Sequence, residues 1–167
     1  TTTNKKITTI PKSSNILSNE NMICIVNMLT NMSNRKKYRE VIVGDITQQA
    51  ECKQNKINLL YGSLDCLSNT LCLFMIFWRS SWIIFVKVKN KSWLVYDTFV
   101  EEALERHTEI CCLLADFIQQ ETREKVIEDY VPIFDTLQRE EYQNGLMILI
   151  RVYFYLFTEN FYIPLNY

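Results

Sequence analysis

The chain has 167 residues, 48% of them apolar, and a formal net charge of −1. This length corresponds to one domain, and the apolar fraction is large enough to form a substantial core. A net charge near zero gives no electrostatic basis for direct binding to nucleic acid. The short basic cluster at residues 35–37 is predicted to be a solvated loop.

The six cysteines lie in apolar or helical patterns, with no Cys-x-x-Cys pair and no group of histidines near them. We therefore expect no zinc site, no other metal and no cofactor. The spacing indicates reduced thiols of an intracellular protein, nuclear or cytoplasmic, and not a secreted disulfide framework. The longest apolar runs are too short, or too interrupted by Arg151, to cross a membrane. No signal peptide is visible, and the chain is expected to be a domain of a longer protein.

The polar N-terminus, residues 1–17, is predicted to be a flexible arm ahead of a single domain at residues 18–167. Ser18 is a candidate N-cap, and apolar residues then recur at helical spacing as far as Met32. Residues 41–43 predict a short strand that ends at a Gly-Asp turn signal.

The middle of the chain predicts a sheet. Residues 46–58 are polar and are expected to form a loop along the sheet edge. Two continuous apolar runs, 71–77 and 82–88, have the length of strands. A polar turn leads from the second run into residues 93–96, which predicts a central hairpin whose last strand ends at Asp97.

Two further helices are predicted in the C-terminal part. Residues 101–120 carry apolar side chains at helical spacing, and residues 125–133 predict a strand that ends at Pro132. The last helix, about 144–157, is apolar around most of its circumference, so we expect it at the centre of the core. The predicted class is an α+β domain with a central mixed sheet and helices on both sides.

Three segments fall in a distinctive order. Ser81-Trp82 opens one predicted strand, Tyr96-Asp97-Thr98 ends the next, and Gln138 precedes Asn144-Gly145 at the start of an apolar helix. This layout resembles the Ulp/SENP family of SUMO proteases and the related adenain-type enzymes, over about residues 18–157. In that family the corresponding segments are His-Trp, Tyr-Asp-Ser, and a Gln ahead of Asp-Cys-Gly. The resemblance implies a papain-like cysteine protease fold, with Gln138 at the oxyanion-hole position.

The residues at the catalytic positions of that pattern differ in this chain. Ser81 stands at the histidine position and Gln143-Asn144 at the Asp-Cys pair, while Asp97 and Gly145 match. A thiolate nucleophile requires sulfur and an adjacent imidazole, and neither an amide nor a serine replaces them near neutral pH. We therefore expect a pseudoprotease with no catalytic residues, although Ser81 could still hydrogen-bond Asp97.

No other residue is expected to replace the missing nucleophile or the missing base. The single histidine, His107, falls in the middle of the second helix and is expected to be exposed there. Cys111 and Cys112 lie on the same helix, and at least one is expected to be a buried core thiol.

The expected activity is therefore binding of a protein partner, either a SUMO- or ubiquitin-like protein or a subunit of a larger complex. The resemblance implies that Trp82 forms a wall of the tunnel that clamps a diglycine tail, although a tryptophan on a hairpin is more often a core residue. The C-terminal aromatic residues predict a partner-binding patch or a tail that folds back on the sheet. The candidate contact residues are Trp82, Tyr153, Tyr155, Phe161 and Tyr162.

Two other interpretations stay open at this point. The chain could be an active cysteine peptidase for SUMO or ubiquitin-like modifiers, with the nucleophile altered to Asn144. It could also be a viral or transposon-derived domain used in nuclear assembly.

Overall fold

The computed structural model describes residues 17–33, 39–68, 71–98, 103–134 and 143–158. The predicted N-terminal arm, apart from Leu17, lies outside these ranges. The elements in chain order are α1 (Asn19–Met32), β1 (Glu40–Gln48), β2 (Asn55–Tyr61), a 3-10 helix (Leu64–Ser68), β3 (Leu71–Trp78), β4 (Ser81–Val88), β5 (Trp93–Asp97), α2 (Ala103–Thr122), β6 (Tyr130–Phe134) and α3 (Gln143–Phe157).

Six strands form one mixed sheet in the order β2-β1-β3-β4-β5-β6. Strand β1 runs parallel to β3, and β5 runs parallel to β6, while the other neighbours are antiparallel. The three predicted strands β3, β4 and β5 lie in the interior of the sheet, and β4 and β5 form the predicted hairpin. The α+β class with a mixed sheet is confirmed.

Helix α1 begins where its capping residue predicts. The Ser18 hydroxyl accepts a hydrogen bond from the backbone N–H of Asn21 at 3.1 Å. This bond satisfies one of the amides that the first turn of a helix leaves without an intrahelical partner. Met22 and Val26 lie on the buried face of the helix.

Two predictions at the first edge of the sheet were wrong. Strand β1 does not end at Gly44 but continues to Gln48, with a register irregularity between Val43 and Gly44. A Cβ at Gly44 would lie 3.0 Å from the backbone oxygen of Asn58, so a glycine permits the close approach of β2. Part of the expected loop at 46–58 is strand, because β2 begins at Asn55.

Strand β6 forms the other edge and also corrects an expectation. The strand does not end at Pro132 but contains it, pairing Pro132 with Val95 of β5. Proline lacks an N–H, and an edge strand tolerates that loss because one side of it has no partner strand.

The helices cover both faces of the sheet. On one face, α2 packs over a core that includes Phe74, Phe85, Trp93 and Leu114. On the other, α1 and α3 pack over Met75, Ile84, Val152 and Tyr155. Neighbouring strand residues such as Phe74 and Met75 point to opposite faces, as the two-residue period of a strand requires.

Helix α3 is an outer layer and not the centre of the core, which corrects the prediction. Its inner side is buried, but Leu146, Ile150 and Tyr153 are 58%, 38% and 47% exposed. These three residues are four and three positions apart and therefore lie along one side of the helix. The apolar circumference of this helix is thus divided between a packed face and a surface stripe.

No helix within the described ranges is long and apolar enough to cross a membrane.

Candidate functional site

The three segments singled out in the sequence meet at one end of the sheet. Strands β4 and β5 are antiparallel, with Ile84 opposite Tyr96, so the start of β4 lies beside the end of β5. The first turn of α3 packs against this end, where Asn144 contacts both Trp82 and Thr98. The fold therefore brings the family-like positions on β4, β5 and α3 close together.

Asn144 binds the backbone of β4 through its carboxamide. Its Oδ1 accepts the backbone N–H of Trp82 at 2.6 Å, and its Nδ2 donates to the carbonyl oxygen of the same residue at 3.0 Å. Nδ2 also donates to the Thr98 hydroxyl oxygen at 2.8 Å. A primary amide has one acceptor and two donor hydrogens on adjacent atoms, so it matches the two backbone groups of one residue. Asn144 is only 3% exposed, and it links α3 to β4 and to the end of β5.

Asp97 is held by helix α2. Its Oδ2 accepts hydrogen bonds from Arg106 Nη2 at 2.5 Å and lies 2.7 Å from His107 Nε2. Both Asp97 and His107 are fully buried. A buried carboxylate is stable only when donors surround it, and α2 supplies two of them.

The prediction that His107 is exposed was wrong. The imidazole is enclosed by the edges of Phe85 and Tyr130, whose ring centroids lie 6.4 and 5.6 Å away. His107 shares its side of α2 with Cys111, Leu114 and Ile118, which are all buried, and the spacing of these residues in the sequence already places them on one helical face. The prediction gave more weight to the polarity of histidine than to its position on this face, because the carboxylate that bonds His107 lies on another element.

The buried Asp97–His107 pair has the form of the orienting half of a catalytic dyad, but Cys111, the buried cysteine on the same face of α2, is not an activated nucleophile. Burial raises the pKa of the Cys111 thiol to about 12, and the nearby Cys112 and Glu128 act in the same direction. Burial raises the pKa of Cys72 as well. Thiols with such pKa values are protonated near neutral pH, whereas a cysteine nucleophile must be a thiolate. The expectation of buried core thiols on α2 is met by Cys111.

Ser81 lies at the buried start of β4, next to a tight turn. Ser81 is 7% exposed at the start of β4, directly opposite Trp78 across a two-residue turn. Both turn residues, Arg79 and Ser80, have positive φ, the conformation of the tight hairpin turn that matches strand twist. The Arg79 guanidinium lies 4.5 Å from the ring of Trp78.

Burial corrects the predicted contact role of two aromatic residues. Trp82 is 3% exposed and packs on Phe77 with a centroid separation of 4.9 Å. Tyr155 is fully buried, and its hydroxyl donates to the carbonyl oxygen of Glu40 at 3.0 Å. A side chain enclosed in the core cannot contact a partner in this conformation, so both are core residues.

Of the remaining predicted contacts, Tyr153 is exposed and stacks on Phe157, with ring centroids 4.9 Å apart. Phe161, Tyr162 and the predicted oxyanion-hole residue Gln138 lie outside the described residues. Within the described ranges, no group of three or more His, Cys, Asp or Glu side chains is arranged to hold a metal ion.

The sequence matches no protein-family model, and no curated protein is significantly similar to it. Functional inference therefore depends on the geometry of the site itself.

Proposed function

We propose that this chain is a catalytically inactive domain of the Ulp/SENP, papain-like type that binds a protein partner without turnover. The observation that carries the proposal is the bonding of Asn144, at the family's nucleophile position. Its carboxamide is fully engaged with the backbone of Trp82 and the hydroxyl of Thr98. An amide in this arrangement is a structural link, and it has neither the nucleophilicity nor the acidity of a thiol.

The surroundings of Asp97 support the same proposal. In the family pattern the carboxylate orients a histidine at the position of Ser81. Here its Oδ2 bonds Arg106 and His107, which both belong to α2 on the other side of the sheet from α3. The carboxylate therefore stabilises the packing of α2, and Ser81 supplies no imidazole to accept a proton.

The proposed binding surface is the stripe of Leu146, Ile150 and Tyr153 on α3. These residues are exposed, although other apolar residues of the helix are packed on the sheet. Tyr153 stacks on Phe157 and meets the ring of Phe154 at its edge, so two neighbouring rings pack against it. Aromatic residues with such support are frequent anchors of protein interfaces. The occupant that we propose is the apolar surface patch of a partner protein, either a ubiquitin-like protein or a subunit of a larger complex.

The first experiment tests the absence of catalysis. The purified chain is incubated with SUMO and with ubiquitin carrying a C-terminal fluorogenic group, and we expect no release above the rate without protein. We expect the same for Asn144→Cys alone, because Ser81 would still supply no base. Release by the unmodified chain that is abolished by Asp97→Ala would favour the alternative, an active peptidase.

The second experiment tests the binding surface. Partners captured from cell extract are purified individually, together with SUMO and ubiquitin, and their Kd values are measured against the chain. We expect Tyr153→Asp to raise Kd at least tenfold, because it places a charge in an apolar interface. The matched control is Ile127→Asp, which changes an apolar residue of similar exposure, 42%, outside α3. Equal Kd values for the two variants would contradict the proposed surface.

A further inference from the structure

A cleft of about 720 Å³ lies between the β1–β2 hairpin and helix α2. Its apolar lining is formed by Ile57 of β2 and by Leu113 and Phe117 of α2. None of its lining residues takes part in the bonding of Asn144 or Asp97. The cleft is therefore a separate feature that the proposed function leaves unused.

The cleft runs along the outer edge of the sheet. Among the described residues, β2 pairs only with β1, so one side of β2 has no strand beside it. The other edge of the sheet, β6, contains Pro132, which cannot donate a backbone hydrogen bond. Strand β2 contains no proline, so all its outward amides are able to donate.

The hairpin fixes which backbone groups of β2 point outward. The N–H of Gln49 donates to the carbonyl of Gln54 at 2.8 Å, which makes these two a hydrogen-bonded pair. Such pairs alternate along an antiparallel ladder, so Lys56 directs its backbone groups to β1. Asn55 and Ile57 therefore direct their N–H and C=O groups away from β1, and both line the cleft.

The two walls of the cleft differ in charge, and the side chain of Asn55 donates a hydrogen bond to Glu109. Helix α2 contributes carboxylates and the hairpin contributes ammonium groups: Glu109 and Asp116 on one wall, Lys53 and Lys56 on the other. A ligand that fits must hydrogen-bond to a strand edge, place an apolar group on the floor and offer charges of both signs. An extended peptide meets all three requirements, because its backbone repeats the spacing of β2 and its side chains alternate in direction.

We propose that this cleft binds an extended peptide of a partner protein, which adds to the sheet as a strand beside β2. The peptide donates to and accepts from the outward groups of Asn55 and Ile57. It places an apolar side chain against Leu113 and Phe117, with a basic residue toward Asp116 and an acidic residue toward Lys53 or Lys56. This site is independent of the α3 stripe and would stand if that surface failed its own test.

The test begins with a phage-displayed library of random dodecapeptides selected on the full chain. Selected peptides are expected to alternate apolar and charged residues. We expect Leu113→Arg and Asp116→Lys to raise the Kd of such a peptide at least tenfold, while Tyr153→Asp on α3 leaves it within twofold. Circular dichroism of each variant establishes that it is folded.

Amide hydrogen exchange then locates the peptide. In the free chain the amides of Asn55 and Ile57 are expected to exchange quickly and that of Lys56 slowly, and the peptide should slow the first two at least tenfold. Slow exchange of these amides in the free chain would mean that the edge is already covered, and would overturn the proposal. Three other results would also overturn the proposal. They are the failure to enrich any peptide, a peptide Kd that is the same for the Leu113 and Asp116 variants as for the unmodified chain, and sedimentation showing that a second copy of the chain occupies the edge.

Discussion

Asn144 is the residue on which most of the site depends. Its amide satisfies the backbone N–H and C=O of Trp82 at a place where water has little access, since Asn144 itself is only 3% exposed. An unsatisfied buried polar group costs about 1–3 kcal/mol. Asn144 therefore stabilises the junction between α3 and the start of β4.

We expect Asn144→Ala to lower the free energy of unfolding by about 2–4 kcal/mol, because it leaves both backbone groups of Trp82 without the amide. Urea denaturation followed by circular dichroism measures the change. The control is Asn31→Ala, which removes an exposed side-chain bond to Asn27 and should cost less than about 0.5 kcal/mol. A loss at position 144 no larger than the control would show that water replaces the amide.

Cys111 gives a residue-level prediction that depends on pH. Its pKa in the folded chain is raised from 9.0 to about 12 by burial, so the unfolded thiol ionises first as pH rises. The contribution of this thiol to stability is therefore complete below pH 9 and decreases as pH rises from 9 toward 12.

The slope from this one thiol is at most about 1.4 kcal/mol per pH unit. We expect Cys111→Ala to reduce the fall in unfolding free energy between pH 9 and pH 10.5, measured by urea titration at each pH. Cys24→Ala, which changes an exposed thiol, is the control and should leave the slope unchanged. Identical slopes for all three proteins would contradict the burial of Cys111.

At the scale of elements, α3 has one face packed on the sheet and one apolar stripe that is exposed. Tyr155 is fully buried and bonded to Glu40, while Tyr153, two positions earlier, is 47% exposed. Two tyrosines of one helix thus differ only in the direction in which they project, and they form a matched pair for mutation.

We expect Tyr155→Ala to lower the free energy of unfolding by about 3–5 kcal/mol, since it removes a buried aromatic ring. Tyr153→Ala should cost less than about 1 kcal/mol. Thermal and urea unfolding of the two variants give the comparison. Similar losses would mean that the exposed ring is also packed, and the α3 stripe would then not be a free surface.

The elements that were predicted well are those whose own residues indicate their structure, without any contact from a distant part of the chain. Strands β3, β4 and β5 are continuous apolar runs, and Ser18 caps α1 by a local bond. Strand β2 was not predicted, because Lys56 and Asn58 made the segment resemble a polar loop and obscured the alternation of Ile57 and Leu59. Polar and charged residues are common in edge strands.

The candidate site was predictable only in part. The proximity of Trp82 and Thr98 follows from the predicted pairing of β4 with β5, and the resemblance implied that Asn144 lies beside them. The bond of His107 to Asp97 and the bond from Asn144 to a backbone were not predictable, because each depends on a partner at least ten positions away that only packing supplies. Tertiary contacts decide such cases, and local patterns do not contain them.

At the scale of the whole molecule, one sheet carries two cores. Strands β3 and β4 contribute alternate residues to each side, so both cores depend on the same two strands. Trp82 lies in the core under α1 and α3, and Trp93 lies in the core under α2. Trp78 also lies in the core under α2, so Trp82 is the tryptophan that reports on the opposite face.

We expect the two faces to unfold in one transition. Trp82→Phe keeps the two tryptophans under α2, and the double variant Trp78→Phe/Trp93→Phe keeps only Trp82 on the other face. The fluorescence of each variant in urea should follow its own circular dichroism, because small single domains unfold as one unit. Two separated midpoints within one variant would show that the helical layers melt independently of each other.

The bonding of Asn144 also has a consequence for any attempt to engineer the site. A cysteine at position 144 could not reproduce both bonds to the Trp82 backbone, so Asn144→Cys would weaken the fold without supplying a base. An imidazole at position 81 would have to be added as well, inside a strand start that is buried. Installing a thiol and a base here therefore first requires another group that satisfies the backbone of Trp82.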